Sequence, residues 1–171
     1  MIALFSEIKP SQVRDNFTDI ISNEWALLTA GDASGYNTMT VSWGFAGEIW
    51  GNDAVCVFVR PQRYTYGFME KSDYFTLSFY GDNKKLHSVC GSKSGRDTDK
   101  AKECGLTPVF DGKATYFDSA RLVFICKKLY ADDIKGECFT DKEPLKNYAD
   151  NDFHRFYIGK IIKVIDSRNS G

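Results

Sequence analysis

The chain has 171 residues, 43% of them hydrophobic and 15% aromatic, with 22 basic against 23 acidic side chains and a formal net charge of −1. That length suits one domain, 1–171, whose core needs no disulfide or metal staple, and the apolar content excludes disorder. The near-neutral charge offers no general surface to nucleic acid or an anionic membrane, although a local anion site remains open.

Residues 11–23, SQVRDNFTDIISN, place Val13, Phe17, Ile20 and Ile21 on one helical face, with Ser11 as the expected N-cap after Pro10. WALLTA then reads as a strand, GDASGY as a turn, and NTMTVSWG as the second strand of a hairpin. FAGEIWGND, with its two glycines, reads as a connection. AVCVFVRP is a strand ended by Pro61, RYTYGFMEKSD a short helix, and YFTLSFYG another strand. The polar stretch that follows predicts short helices near 84–90 and 98–104, and TPVFDGKATYFD a hairpin about Asp111-Gly112. ARLVFICKKLYADDI is a long strand, EPLKNYADND a polar connection, and FHRFYIGKIIKVIDS a last long strand with Phe156, Ile158, Lys160 and Ile162 on one face. About seven strands with few helices predict a mainly β fold, a barrel or sandwich with short helices.

Five cysteines (Cys56, Cys90, Cys104, Cys126, Cys138) without a C-x-x-C, and only two histidines, argue against a disulfide framework and a zinc site. Several cysteines sit in apolar runs, which fits core residues of a cytoplasmic protein. The opening MIALFSEIKPSQ has too short an apolar run for a signal peptide, and no stretch reaches the ~18 apolar residues that span a membrane.

Four stretches carry potential chemistry. In NTMTVSWG, alternation puts Thr38, Thr40 and Ser42 on one face, where short hydroxyls meet either water or a ligand rich in hydrogen-bonding edges. In RPQRYT, Arg60, Arg63, Thr65 and a helix start suit a phosphate; the alternative is a solvated turn. GSKSGRD, 91–97, offers glycines, hydroxyls and two cations that suit a phosphate or a carbonyl-rich ligand, yet it does not match a nucleotide P-loop, and such a segment taken alone is more often a solvated loop. His154 leads HRFYIG, either lining a pocket or serving structure; no nucleophile elbow or triad is evident.

In their order along the chain, T-M-T-x-S-W-G, R-P-x-R-Y-T, S-G-R-D and a late HRFYIGKI resemble the flavin reductase-like, FMN-binding split-barrel family, nearest its flavoredoxin-type members, over about residues 12–166. The resemblance implies a Greek-key split β-barrel, a homodimer, and FMN near the dimer interface. It would place Asn37, Thr38, Met39, Thr40, Ser42 and Trp43 along the isoalloxazine and ribityl chain. Val59, Arg60 and Tyr64 would run beside the flavin, with Arg63 and Thr65 on its phosphate. Lys93, Ser94 and Gly95 would close over the ligand, with Lys93 a candidate cation near flavin N1 and O2. His154, the candidate catalytic residue, and Tyr157 would approach the site. It also implies a reduced nicotinamide, NAD(P)H, as electron donor, for which the chain carries no dinucleotide motif. The expected activity is an FMN-dependent NAD(P)H oxidoreductase passing electrons to a small-molecule or protein acceptor. The alternatives are a flavoredoxin-like electron carrier reduced by a partner protein, and a non-enzymatic ligand-binding barrel.

Overall fold

The computed structural model of the chain describes residues 6–169. The strands are β1 (Ser6–Ile8), β2 (Ala26–Asp32), β3 (Gly35–Val41), β4 (Gly44–Ile49), β5 (Asn52–Val59), β6 (Tyr74–Phe79), β7 (Pro108–Asp111), β8 (Ala114–Phe117), β9 (Leu122–Asp133) and β10 (Arg155–Asp166). The α-helices are α1 (Phe17–Asp19), α2 (Tyr64–Lys71), α3 (Lys84–Ser92) and α4 (Lys100–Glu103).

The main sheet runs β3-β2-β6-β9-β10-β5-β4, with β1 beside β10; β7 and β8 form a separate ribbon, and every pairing is antiparallel. The two outermost strands, β3 and β4, are joined by Ser42 and Trp43 alone. Three Cα steps reach at most about 11 Å, so the sheet must curl until its edges meet. Among the described residues no ladder joins those edges, so the barrel is closed by the chain and split along the β3–β4 seam. The fold is thus the mainly β, Greek-key split barrel expected from the sequence.

Apolar runs mark strands covered on both faces. In β2, Leu28 and Ala30 enter the barrel core with Phe75, Leu77, Phe79 and Phe124, while Leu27 packs outward with Leu86, Cys90, Ala101 and Phe117. In β9, Leu122, Phe124 and Cys126 point inward, and Val123 and Ile125 pack under Ala114 and Tyr116 of β8. Such two-sided burial explains why these strands show no polar alternation. On β10, Tyr157, Gly159 and Ile161 are the inward residues, so the face shared by Phe156, Ile158, Lys160 and Ile162 is the outer one. A Cβ on Gly159 would lie 2.5 Å from the Phe75 ring and 2.9 Å from Cys126 Cβ, so this crossing closes only around glycine.

Two sequence expectations are corrected. FAGEIWGND is not a connection: Gly44–Ile49 is strand β4, paired with β5 from Gly44↔Val57 to Ile49↔Asn52. Trp50 and Gly51 make the two-residue turn, both at positive φ (56° and 71°), the geometry that suits a twisted hairpin. Its glycines and alanine hid the strand, because an edge strand with one bonded side tolerates poor strand formers. The helix expected over 11–23 is broken. A 3-10 turn spans Pro10–Gln12, and Asn16 starts α1 by accepting from the N–H groups of Thr18 (3.0 Å) and Asp19 (3.3 Å). The asparagine side chain caps where Ser11 does not, and the chain continues as a π-type turn, Ile20–Glu24.

Candidate functional site

Successive residues of β3 line two cavities beside the seam. Met39 to Trp43, with Phe58, Arg60 and His154, surround about 200 Å³. Asn37 and Thr38, with Tyr64, Phe68, Gly95 and Lys100, line about 330 Å³.

The second cavity is the electrostatically unusual one: Lys100 and Asp99 both line it, and Arg63, outside its lining, is close enough for its charge to act on Lys100. Arg63 precedes α2 and its side chain does not cap the helix; Nη2 donates instead to the Gly91 carbonyl at 2.9 Å. Lys100 is only 4% exposed, and its Nζ donates to the Cys90 carbonyl at 3.2 Å. Burial pushes the Lys100 ammonium down to about 8, and the charge of Arg63 pushes the same way. Arg63 is lowered from its ordinary value by burial. Among the described residues, neither cation has a carboxylate within ion-pair distance. Two neighbouring cations, one buried and one half-buried and neither ion-paired, are unfavourable by themselves and favourable around an anion, with Asp99 the one carboxylate residue in the cavity's lining. Over this cavity runs the strap 93–97. A Cβ on Gly95 would fall 2.1 Å from Asn37 Oδ1 and 2.8 Å from Tyr64 Cδ1, so the strap lies directly on both. Asn37 Nδ2 in turn donates to Thr65 Oγ1 at 2.8 Å, tying β3 to the first turn of α2.

The hydroxyl row is mostly engaged by the protein. Thr38 Oγ1 shares a hydrogen bond with Thr29 Oγ1 (2.9 Å), and Thr40 Oγ1 lies 3.0 Å from His87 Nδ1. Ser42 stays exposed at the mouth of the first cavity. Arg60 is also engaged: it pairs with Asp152, donates to the Asn147 carbonyl at 2.9 Å, and stacks 5.2 Å over the Tyr148 ring. Lys93 pairs with Glu103 on the outside of the strap. Ser94 shapes the strap, its Oγ accepting from Arg96 N–H at 3.2 Å and its carbonyl from Asp97 N–H at 3.1 Å. Val59 is buried in the barrel core, and Tyr157, also buried, donates to Glu70 Oε1 at 2.6 Å; neither lines the two cavities. The structure therefore gathers Asn37, Arg63, Tyr64, Thr65 and Gly95, and it adds Lys100. Nothing in DTDKAKEC distinguishes Lys100 from its solvated neighbours; only its burial does.

The first cavity is walled by Trp43, Phe58 and His154, whose rings lie 5.2 Å (Trp43–His154) and 6.3 Å (Phe58–His154) apart. His154 Nδ1 is 2.8 Å from the Tyr148 hydroxyl. Burial, then the charge of Arg60, push the imidazole down to about 4, with Asp152 opposing. His87, buried on α3, is likewise pushed down to about 4, first by burial and then by Lys84. Both rings are neutral near pH 7. Between about 6.5 and 4 the unfolded chain binds more protons than the folded one, so this stability is present above about pH 6.5 and lost as pH falls towards 4. Each ring costs about 2 kcal/mol by pH 5. Asp166, held below the usual carboxylate range by its hydrogen bond from Arg168, titrates below this window. The expected result is a urea midpoint that falls clearly between pH 7 and pH 5; an unchanged midpoint contradicts the buried neutral imidazoles.

Comparisons with known proteins agree with this architecture. The family model described as "Flavin reductase like domain" matches residues 19–170. Among curated proteins, none matches the chain. Among solved structures, an FMN-binding protein from Thermus thermophilus with bound 1-cyclohex-2-enone superposes with TM-score 0.67 at 17% identity, over 96% of this chain and 82% of that one. A flavoredoxin from Methanosarcina acetivorans gives TM-score 0.64 at 20% identity, over 93% and 74%. An NADH:FAD oxidoreductase from Streptomyces globisporus, in complex with NAD and FAD fragments, gives 0.62 at 14%, over 84% and 74%. At these identities the likeness is one of fold.

Proposed function

Because the chain belongs to the flavin reductase-like domain family, we propose that it is an FMN-dependent oxidoreductase that takes electrons from NADH or NADPH and passes them to a further acceptor. The observation that carries this reading is the pair Arg63, half-buried, and Lys100, buried, neither of them ion-paired to a carboxylate among the described residues, which suits a phosphate of nearly two negative charges. When bound, the flavin supplies the hydride-accepting and electron-releasing chemistry.

The chain's own residues supply position and electrostatics. Arg63 and Lys100 would hold the phosphate, helped by the N–H groups at the start of α2, which no side chain caps. Asn37 and Thr65 brace that end, and the strap at Gly95 covers it. Trp43 and Phe58 form the flat apolar wall that the ring system needs and exclude water there. His154 is a weak base at neutral pH, so it acts as a neutral hydrogen-bonding wall. Tyr148 occupies its Nδ1, which leaves Nε2 to exchange a hydrogen bond with an occupant of the cavity.

A second copy of the chain belongs in this reading. The outer faces of β4, β5, β9 and β10 carry a chain of rings: Phe45–Phe58 (6.1 Å), Phe58–Phe156 (6.3 Å), Phe156–Tyr130 (6.0 Å) and Tyr130–Trp50 (6.2 Å). Phe45 and Trp50 are each 60% exposed. This patch adjoins the Trp43–Phe58–His154 wall, which supports a homodimer whose partner borders the site.

The smallness of the first cavity, about 200 Å³ beneath Trp43, favours a second reading, an electron carrier reduced by another protein with little room for a nicotinamide. Anaerobic titration of the FMN-loaded protein separates the two. Loss of flavin absorbance with NADH or NADPH is the expected result. Loss only with dithionite or a partner reductase assigns the carrier. A colourless protein that does not take up added FMN overturns both.

A further inference from the structure

Cys90 in α3 and Cys104, the residue that ends α4, bring their sulfurs within 3.9 Å of each other. We propose that this pair is a reversible disulfide site, oxidised by a peroxide, that ties α4 to α3 and closes the strap between them into a ring.

The two thiols differ in access. Cys90 is fully buried against Leu27, Leu86, Ala101 and Phe117. Cys104 is half-buried and lines a third cavity of about 380 Å³, beside Tyr80 and Leu106. An oxidant therefore reaches Cys104 first, and Cys90 stands ready as the resolving thiol. Lys100 stands beside the pair: its Nζ donates to the Cys90 carbonyl at 3.2 Å, and its charge partly opposes the effect of burial on the Cys90 thiol. Burial pushes the Cys90 thiol up to about 12, which disfavours it as the first nucleophile. Among the described residues, Cys56, Cys126 and Cys138 show no comparable sulfur neighbour.

The chemistry balances with peroxide alone. The Cys104 sulfur attacks the peroxide O–O bond, giving a sulfenic acid and one water. The Cys90 sulfur then attacks the sulfenic sulfur, forms the S–S bond and releases a second water. In sum the thiols give up two electrons and two protons, and hydrogen peroxide becomes two waters. The sulfurs must approach to about 2.0 Å. The moving element is α4, four residues long and followed by Gly105 at φ +67°, and it is the smaller of the two helices to shift.

The closed ring, 90–104, contains Gly95 and Lys100, so oxidation restrains the strap over the anion cavity. The disulfide itself does not depend on the flavin reading, and its test does not require FMN.

The full chain carrying Cys138→Ser, which removes the exposed thiol, is treated with hydrogen peroxide, alkylated in denaturant and digested with trypsin without reductant. The expected product joins LHSVCGSK (86–93) to ECGLTPVFDGK (103–113) with the loss of two hydrogens, and dithiothreitol separates them again. In an added Cys104→Ser variant the joined peptide is absent. Separate alkylation of Cys90 and Cys104 after peroxide overturns the proposal, as does a Cys104 that proceeds to sulfinic acid while Cys90 remains a free thiol.

Discussion

Replacing Arg63 by alanine lowers the affinity for FMN at least tenfold and leaves the affinity for riboflavin nearly unchanged. A hydrogen bond to a charged group is worth about 1.5–3 kcal/mol, and each 1.4 kcal/mol is a factor of ten. The expected weakening is therefore about tenfold to a hundredfold, read by fluorescence titration of each flavin. The comparison with riboflavin isolates the phosphate. Arg63 also donates to the Gly91 carbonyl, so its loss loosens the end of α3 as well. A loosened strap weakens both flavins together, whereas loss of a phosphate ligand weakens only the one that carries phosphate. Lys100→Met extends the test, because it keeps the buried stem and removes only the charge. Equal losses for FMN and riboflavin, or an FMN affinity within about twofold of the parent, contradict the assignment of Arg63 and Lys100 to the phosphate.

The phosphate end also shows which parts of the molecule were legible in the sequence. RPQRYT exposed a strand–proline–helix junction with two arginines, and the junction forms as read. The residues alone did not tell which arginine escapes an ion pair, although the resemblance pointed to Arg63; Arg60 is taken by Asp152, ninety-two positions away. Lys100 was invisible for the same reason: burial without an ion pair is a property of the packed chain. The hydroxyl alternation of NTMTVSWG was real, yet Thr29 and His87 bind two of its members from strand β2 and helix α3. Hairpins, long strands and short helices were legible where local propensity and burial agree, as in ARLVFICKKLYADDI and TPVFDGKATYFD. Where they disagree, in the glycine-rich β4 and the Asn16-capped segment before β2, pairing partners and caps decided the outcome.

The expected result of combining Phe45→Asp with Trp50→Asp is conversion of the proposed dimer to a monomer. Both rings lie on the outer face of the β4–β5 hairpin and are 60% exposed, so a carboxylate at either position leaves the barrel core untouched. Aromatic anchors at the centre of an interface contribute about 2 kcal/mol or more each, so the pair raises the dimer dissociation constant by about a thousandfold. Sedimentation equilibrium across a concentration series reads the change, with circular dichroism confirming the fold. A parent protein that sediments as a monomer, or a double variant that stays dimeric, rules this face out as the interface. The same variant tests whether the partner borders the site. Phe45 touches Phe58, and Phe58 touches His154, so a partner seated on this face also covers the wall of the first cavity. Removing it admits water to that wall, and FMN affinity falls with the dimer. Because the isoalloxazine end is affected and the phosphate end is not, riboflavin affinity falls in parallel, the opposite of the pattern expected for Arg63→Ala.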